Sequence, residues 1–150
     1  MPQAPQIPKW FSWGLLIVSF VGFLDAGYLT ANFYFEAPIP CTILNGCEVV
    51  VKSVYATIGP VPIALLGALY YLSLFILAVL YLDSGRERAA VLAAYITPIG
   101  FLASSVLIYL QIFVIKALCL YCIVSAGTST LLFILALFLF RTRRRNTGLA

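Results

Sequence analysis

The chain contains no histidine, which excludes a Ser/His/Asp triad, a Cys/His dyad and any histidine-ligated metal. Charge is nearly as scarce. Nine Lys plus Arg and 5 Asp plus Glu make up 9% of the 150 residues, against about a quarter in a soluble domain. With 63% of its residues apolar, the chain cannot coat itself with polar groups, so its solvent is lipid. A soluble enzyme, a nucleic-acid binder and a disordered tail are therefore excluded, despite the formal net charge of +4. No internal repeat, low-complexity tract or long linker divides the sequence, which reads as one domain over residues 1–150. What remains for chemistry is four cysteines.

Four apolar stretches, over residues 10–34, 61–82, 89–115 and 117–140, reach the roughly 20 residues needed to cross about 30 Å of hydrocarbon as helices. The last three carry no charge and the first carries only Asp25. The first run is longer than a signal-peptide core and follows a single Lys9, so it reads as a retained span. An even number of spans puts both termini on one side. That side holds Lys9, Arg86, Arg88, Arg141, Arg143, Arg144 and Arg145, and the other holds Lys52 and Lys116. Basic residues are retained inside, which predicts cytoplasmic termini and a multi-pass protein of the cell (inner) membrane. The arginine-rich tail reads as an anchor beside anionic headgroups. The predicted fold is an all-α integral membrane protein, a four-transmembrane-helix bundle.

The sizeable loop, residues 36–60, falls outside. It opens with Pro38 and Pro40, turns at Asn45-Gly46, and places Val50, Val51, Val54, Tyr55 and Ile58 at helical spacing. The spacing predicts a short interfacial helix over 48–58 as a lid, ended by Gly59-Pro60, with Pro62 in the first turn of span two. Inside, Asp83-Ser84-Gly85 forms a tight turn, and Pro98 predicts a kink in span three.

Cys41 and Cys47 bracket the Asn-Gly turn, a spacing that can bring two Cα atoms within the roughly 7 Å a disulfide requires. Cys119 and Cys122 stand three apart at the start of span four, on one helix face near its amino end, where the helix dipole favours the reactive thiolate. The topology gathers both pairs on the extracytoplasmic side, where disulfides persist. Two spaced pairs on one membrane face point to redox chemistry, and the apolar setting of Cys119-Leu120-Tyr121-Cys122 suits a lipid-soluble acceptor such as a quinone. Two other accounts compete. Buried cysteines also serve as packing residues or structural disulfides. Four thiolates can hold zinc, although five residues between Cys41 and Cys47 exceed the usual knuckle spacing and the oxidising side disfavours free thiolates.

Taken together, Leu24-Asp25-Ala26-Gly27-Tyr28-Leu29, Cys41 and Cys47, Ser53, Gly59-Pro60-Val61-Pro62 with Gly67, and Cys119 to Cys122 resemble the vitamin K epoxide reductase family in its bacterial branch. The resemblance covers nearly the whole chain. It implies a four-helix bundle around a quinone, ubiquinone or menaquinone, that carries electrons from protein thiols to that acceptor. In that frame Cys41 exchanges with a partner's thiols, Cys47 passes electrons to Cys119, and Cys122 acts on the quinone. Some members carry a fused thioredoxin-like domain. The ten residues after Phe140 are too few for one, so the expected partner is a separate thioredoxin-fold, DsbA-like protein that puts disulfides into secreted proteins. Vertebrate members place an Asn in span two and a Tyr in span four against the ligand's oxygens, where this chain has Ile63 and Ala126. That departure favours plain quinone reduction over epoxide reduction.

Asp25 lies about 22 Å along span one, in the outer half of the bilayer, as a proton relay or an interhelical bond. Ser53, on the lid, is a candidate for a quinone oxygen or for holding the loop backbone. Gln111, Tyr109 and Tyr121 fall near the outer ends of their spans, where amide and aromatic groups mark the interface. The disulfide bond protein B family shares four spans and two cysteine pairs but places Cys-x-x-Cys in the first outer loop, the reverse of the order here. A non-enzymatic subunit or transporter component stapled by disulfides is the remaining alternative, and the lack of further intramembrane charge speaks against ion transport.

Overall fold

The computed structural model describes residues 7–41, 43 and 45–148. In chain order it contains helix α1 (Lys9–Phe35), the short helix α2 (Cys47–Val51), a 3-10 turn (Val54–Ala56) and strands β1 (Thr57–Ile58) and β2 (Val61–Pro62). Helices α3 (Ile63–Ser84), α4 (Glu87–Tyr109) and α5 (Leu120–Thr147) follow, with α4 prolonged by a π-helical turn over Leu110–Ile115. Four helices, over 9–35, 63–84, 87–115 and 120–146, are long and apolar enough to cross a membrane. The chain is thus a helical membrane bundle.

The helices form a closed ring, α1 against α3 and α5, and α4 against the same two. Trp10 and Phe138 meet edge to face at 5.3 Å, and Arg143 pairs with Glu87 at 3.6 Å. The start of α1, the start of α4 and the end of α5 therefore share one end of the bundle. At the other end Tyr28 packs on Tyr121 at 5.2 Å. All four cysteines lie at that second end, the end opposite most of the arginines.

The ends of the elements depart from expectation for local reasons. The lid is not one helix. After α2, the Ser53 N–H and its Oγ both turn to the Val50 carbonyl (3.2 and 2.7 Å), a side-chain bond that competes with helical continuation. Thr57–Ile58 then pair antiparallel with Val61–Pro62 across Gly59, whose φ of 63° suits a tight hairpin turn. The hairpin consumes Val61 and Pro62, so span two begins at Ile63 and Pro62 stands just ahead of the helix. Asp83 and Ser84 belong to α3, and the turn itself is Gly85-Arg86, with Gly85 at φ 62° donating to the Tyr81 carbonyl at 2.9 Å. Span four starts at Leu120 rather than 117, because Lys116 takes a left-handed φ of 54° and Cys119 is extended. Helix α4 continues through Pro98. The ring nitrogen of Pro98 cannot donate to the Ala94 carbonyl, and Thr97 Oγ1 donates there instead at 2.9 Å.

The core is built on two adjacent tyrosines of α3, whose rings meet edge to face at 5.0 Å and cover glycines of different helices. The Tyr71 ring covers Gly22 of α1, and its hydroxyl reaches α5, donating to the Ser125 carbonyl (2.7 Å) and sharing a hydrogen bond with Thr128 Oγ1 (2.8 Å). The Tyr70 ring covers Gly100 of α4. A Cβ at either glycine would collide with the neighbouring ring. The Tyr71 ring cannot swing away without surrendering its bonds to α5. Small-residue contacts of this kind hold helices together where lipid removes the hydrophobic drive for association. Gly22→Ala is expected to destabilise the bundle by about 1–3 kcal/mol. Gly27→Ala, whose new Cβ meets nothing within 4 Å, is expected to leave it unchanged. Thermal midpoints of the two variants in one detergent check the contrast.

Candidate functional site

Cys41 and Cys47 are joined by a disulfide with their Cα atoms 6.2 Å apart. Cys119 and Cys122 are free thiols. Cys47 and Cys119 are both fully buried, in one cluster with Val50, whereas Cys41 and Cys122 are partly exposed at its edge. Two pairs more than 70 residues apart in sequence are thus brought into a single buried group.

A glycine makes this possible. Gly46, next to Cys47, lies directly on the backbone of the stretch leading to α5. A Cβ there would come within 2.8 Å of the Leu118 nitrogen and closer still to the Leu118 carbonyl oxygen. Only a residue without a side chain seats the loop disulfide at this depth. On the other side Cys119 occupies the N-cap position of α5, with its carbonyl accepting from the Ile123 N–H at 3.1 Å. The unsatisfied N–H groups of the first helical turn therefore face the cysteine pair and favour negative charge there.

Behind the cysteines lies a cavity of about 640 Å³ lined by α1, α3, α4, α5 and the lid. Its size falls in the range of small-molecule sites, and its wall is predominantly apolar. Cys122 is in that wall. Cys41, Cys47 and Cys119 are not. Val50, Val51, Ser53, Tyr55 and Ile58 roof it, so the expected lid covers the site although its secondary structure differs from expectation. Ile63 lines the cavity and Ala126 does not, but Ser125 and Ser129 beside it do.

Ser53 lines the cavity while its hydroxyl is spent on the Val50 carbonyl. Asp25 lies within electrostatic reach of Cys119, Cys122 and Tyr121, outside the cavity wall, and its Oδ2 is buried without a hydrogen-bond partner. Tyr109 is exposed and packs on Phe113 at 4.8 Å. Gln111 is the residue that the sequence undervalued. It is 2% exposed, not interfacial, and its Oε1 accepts the Cys119 N–H at 3.1 Å. The available signal was an amide within an uncharged span, eight residues before Cys119. Among the described residues no group of three or more cysteine or acidic side chains is placed to hold a metal.

Fold and site together define a membrane protein with a thiol and disulfide centre at the mouth of an intramembrane cavity. The family model described as Vitamin K epoxide reductase family matches residues 13–137, and the chain belongs to that family. Its members are membrane thiol–disulfide oxidoreductases that in general use quinones as electron acceptors and work with thioredoxin-like partners. Comparison with curated proteins returns no match.

Gly46→Ala tests the seating of the loop. With Cys41 and Cys122 both replaced by serine, oxidative cross-linking of Cys47 to Cys119 is expected to fall about 10-fold in the Gly46→Ala background, read as the fraction of chains resistant to thiol alkylation.

Proposed function

We propose that the protein is a membrane thiol oxidase that draws electrons from a separate thioredoxin-fold partner and delivers them to a quinone, supporting disulfide formation in secreted proteins. The observation that carries this is the graded exposure of the four sulfurs. Cys41 is the loop cysteine open to a protein thiol, Cys47 and Cys119 meet in the dry cluster, and Cys122 alone faces the cavity. That grading supports a relay in which each sulfur takes one step.

The partner's thiolate attacks Cys41 of the loop disulfide and leaves with the oxidising equivalents, so the loop becomes a dithiol. Cys47 then exchanges with the Cys119–Cys122 disulfide, and burial keeps competing thiols and water from the intermediate. A quinone bound in the cavity would accept two electrons and two protons. Cys122 would present its sulfur to that acceptor, the apolar wall would hold the ring, and Asp25, beside the pair, would supply a proton from outside the wall. The size and apolar lining of the cavity fit such a ring. Ile63 in the wall leaves one expected oxygen ligand missing and favours plain quinone reduction. The excess of arginine at the opposite end supports cytoplasmic termini, extracytoplasmic cysteines and residence in the cell membrane.

Loss of the oxidised-quinone absorbance band after adding a reduced thioredoxin-fold protein to the purified chain is expected for the wild type and absent in Cys122→Ser. Cys41→Ser should block reduction by the protein donor yet spare reduction by dithiothreitol; equal loss of both would remove Cys41 from its place in the relay. No loss of the band in the wild type with any of several quinones and dithiols would leave the cysteines as structural staples. Asp25→Asn is expected to lower quinone turnover roughly 100-fold, and unchanged turnover across the pH range would exclude a proton role.

A further inference from the structure

Gln111 is a fully buried amide where an apolar side chain would fill the space at lower cost. It sits in the π-helical turn Leu110–Ile115, a backbone form that recurs at functional sites. The turn is tied down by the Ala117 N–H, which donates to the Gln111 carbonyl at 3.1 Å. The side-chain orientation follows from its first partner. The Cys119 N–H is a donor, so the atom it meets at 3.1 Å must be the carboxamide oxygen, which turns the NH₂ group the other way. That side of the amide lies within electrostatic reach of the Cys122 side chain, and both residues line the same cavity. One planar group therefore holds the backbone of the first cysteine of the Cys-x-x-Cys and has its N–H side left for the second.

We infer that Gln111 is a catalytic residue of the internal exchange, its amide N–H stabilising the Cys122 sulfur as that sulfur departs while its oxygen fixes Cys119 for attack. The inference rests on the thiol relay proposed above. In that step the Cys47 thiolate attacks the Cys119 sulfur, the Cys47–Cys119 bond forms as the Cys119–Cys122 bond breaks, and the electron pair leaves on Cys122. The Cys41 thiolate then attacks Cys47, closing the loop disulfide and releasing Cys119 as a thiolate. Two electrons pass from the loop to the second pair. The two protons given up by Cys41 and Cys47 balance the two taken by Cys119 and Cys122, and no further reactant is consumed. The departing charge on Cys122 develops against an apolar wall, where a donor already in place is worth more than in water.

The test follows the internal step directly, without quinone. Fully oxidised purified chain is mixed with one equivalent of dithiothreitol, quenched in acid at successive times and alkylated, and mass spectrometry reports which pair is reduced. In the wild type the loop is reduced first and Cys119 and Cys122 second. Gln111→Glu keeps an oxygen for the Cys119 N–H but loses the N–H for Cys122, and Gln111→Leu loses both. Both variants are expected to slow the second step about 10- to 100-fold, the factor carried by a hydrogen bond to a charged group, with the first step unchanged. Replacing the Cys122 sulfur by selenium separates this role from a structural one. Selenolate is the better leaving group, so the Gln111→Glu penalty should shrink to about 3-fold or less. An unchanged second step in Gln111→Glu, or the same penalty with selenium in place, overturns the inference while leaving the relay intact. A wild type in which electrons never reach Cys119 and Cys122 overturns the relay itself, and the inference with it.

Discussion

The approach of Gly46 to the Leu118 backbone is the contact on which the chemistry depends. The loop is tethered to α1 and α3, whereas Cys119 belongs to the start of α5, so nothing in the chain's local geometry brings them together. The missing side chain lets the loop lie directly against the peptide leading into α5, and Cys47 follows it into the buried cluster. The left-handed turn at Lys116 completes the fit, since it ends the helical path of α4 and leads the chain into the short irregular stretch that the loop covers.

Deeper in the bundle the same economy appears with the rings reversed. Tyr70 and Tyr71 lie against glycines of α4 and α1, and the Tyr71 hydroxyl reaches the Ser125 carbonyl across the bundle. In lipid no apolar face gains by hiding from the solvent, so close backbone approach and a few interhelical hydrogen bonds carry the association. Ser104 and Ser129 add one more such bond, at 2.7 Å between α4 and α5. These contacts lie beneath or in the cavity wall, and they hold its volume open by fixing the helices around it.

Several polar groups within the bundle bear on the site. Thr97 repairs the carbonyl that Pro98 leaves unpaired, Gln111 satisfies the Cys119 N–H at a helix start, and Ser53 holds the lid's turn. Asp25, near the cysteines, differs from these three in having one carboxylate oxygen buried and unpartnered. An orphan of that kind is costly in a membrane, and the proton role proposed for Asp25 would account for it.

Hydropathy and the scarcity of charge were enough to set the four spans and the gathering of both cysteine pairs at one end, because the cost of burying charge or unpaired backbone in lipid leaves a helix few alternatives. The motif around Asp25, Cys41, Cys47, Cys119 and Cys122 likewise marked the family. The boundaries within a residue or three, the hairpin that replaced the second half of the lid helix and the start of α5 at Leu120 were not legible, since each turns on a φ angle or on a side-chain bond to the backbone rather than on hydropathy. Nor was Gln111, which hydropathy places at the interface and the π turn brings inward against Cys119. The sequence by itself determined that the chain lives in lipid and carries paired thiols. Which sulfur faces the cavity, which faces outward and which amide touches them was decided by tertiary packing, because side chains distant in sequence acquire relative positions only when the helices and the loop close on one another.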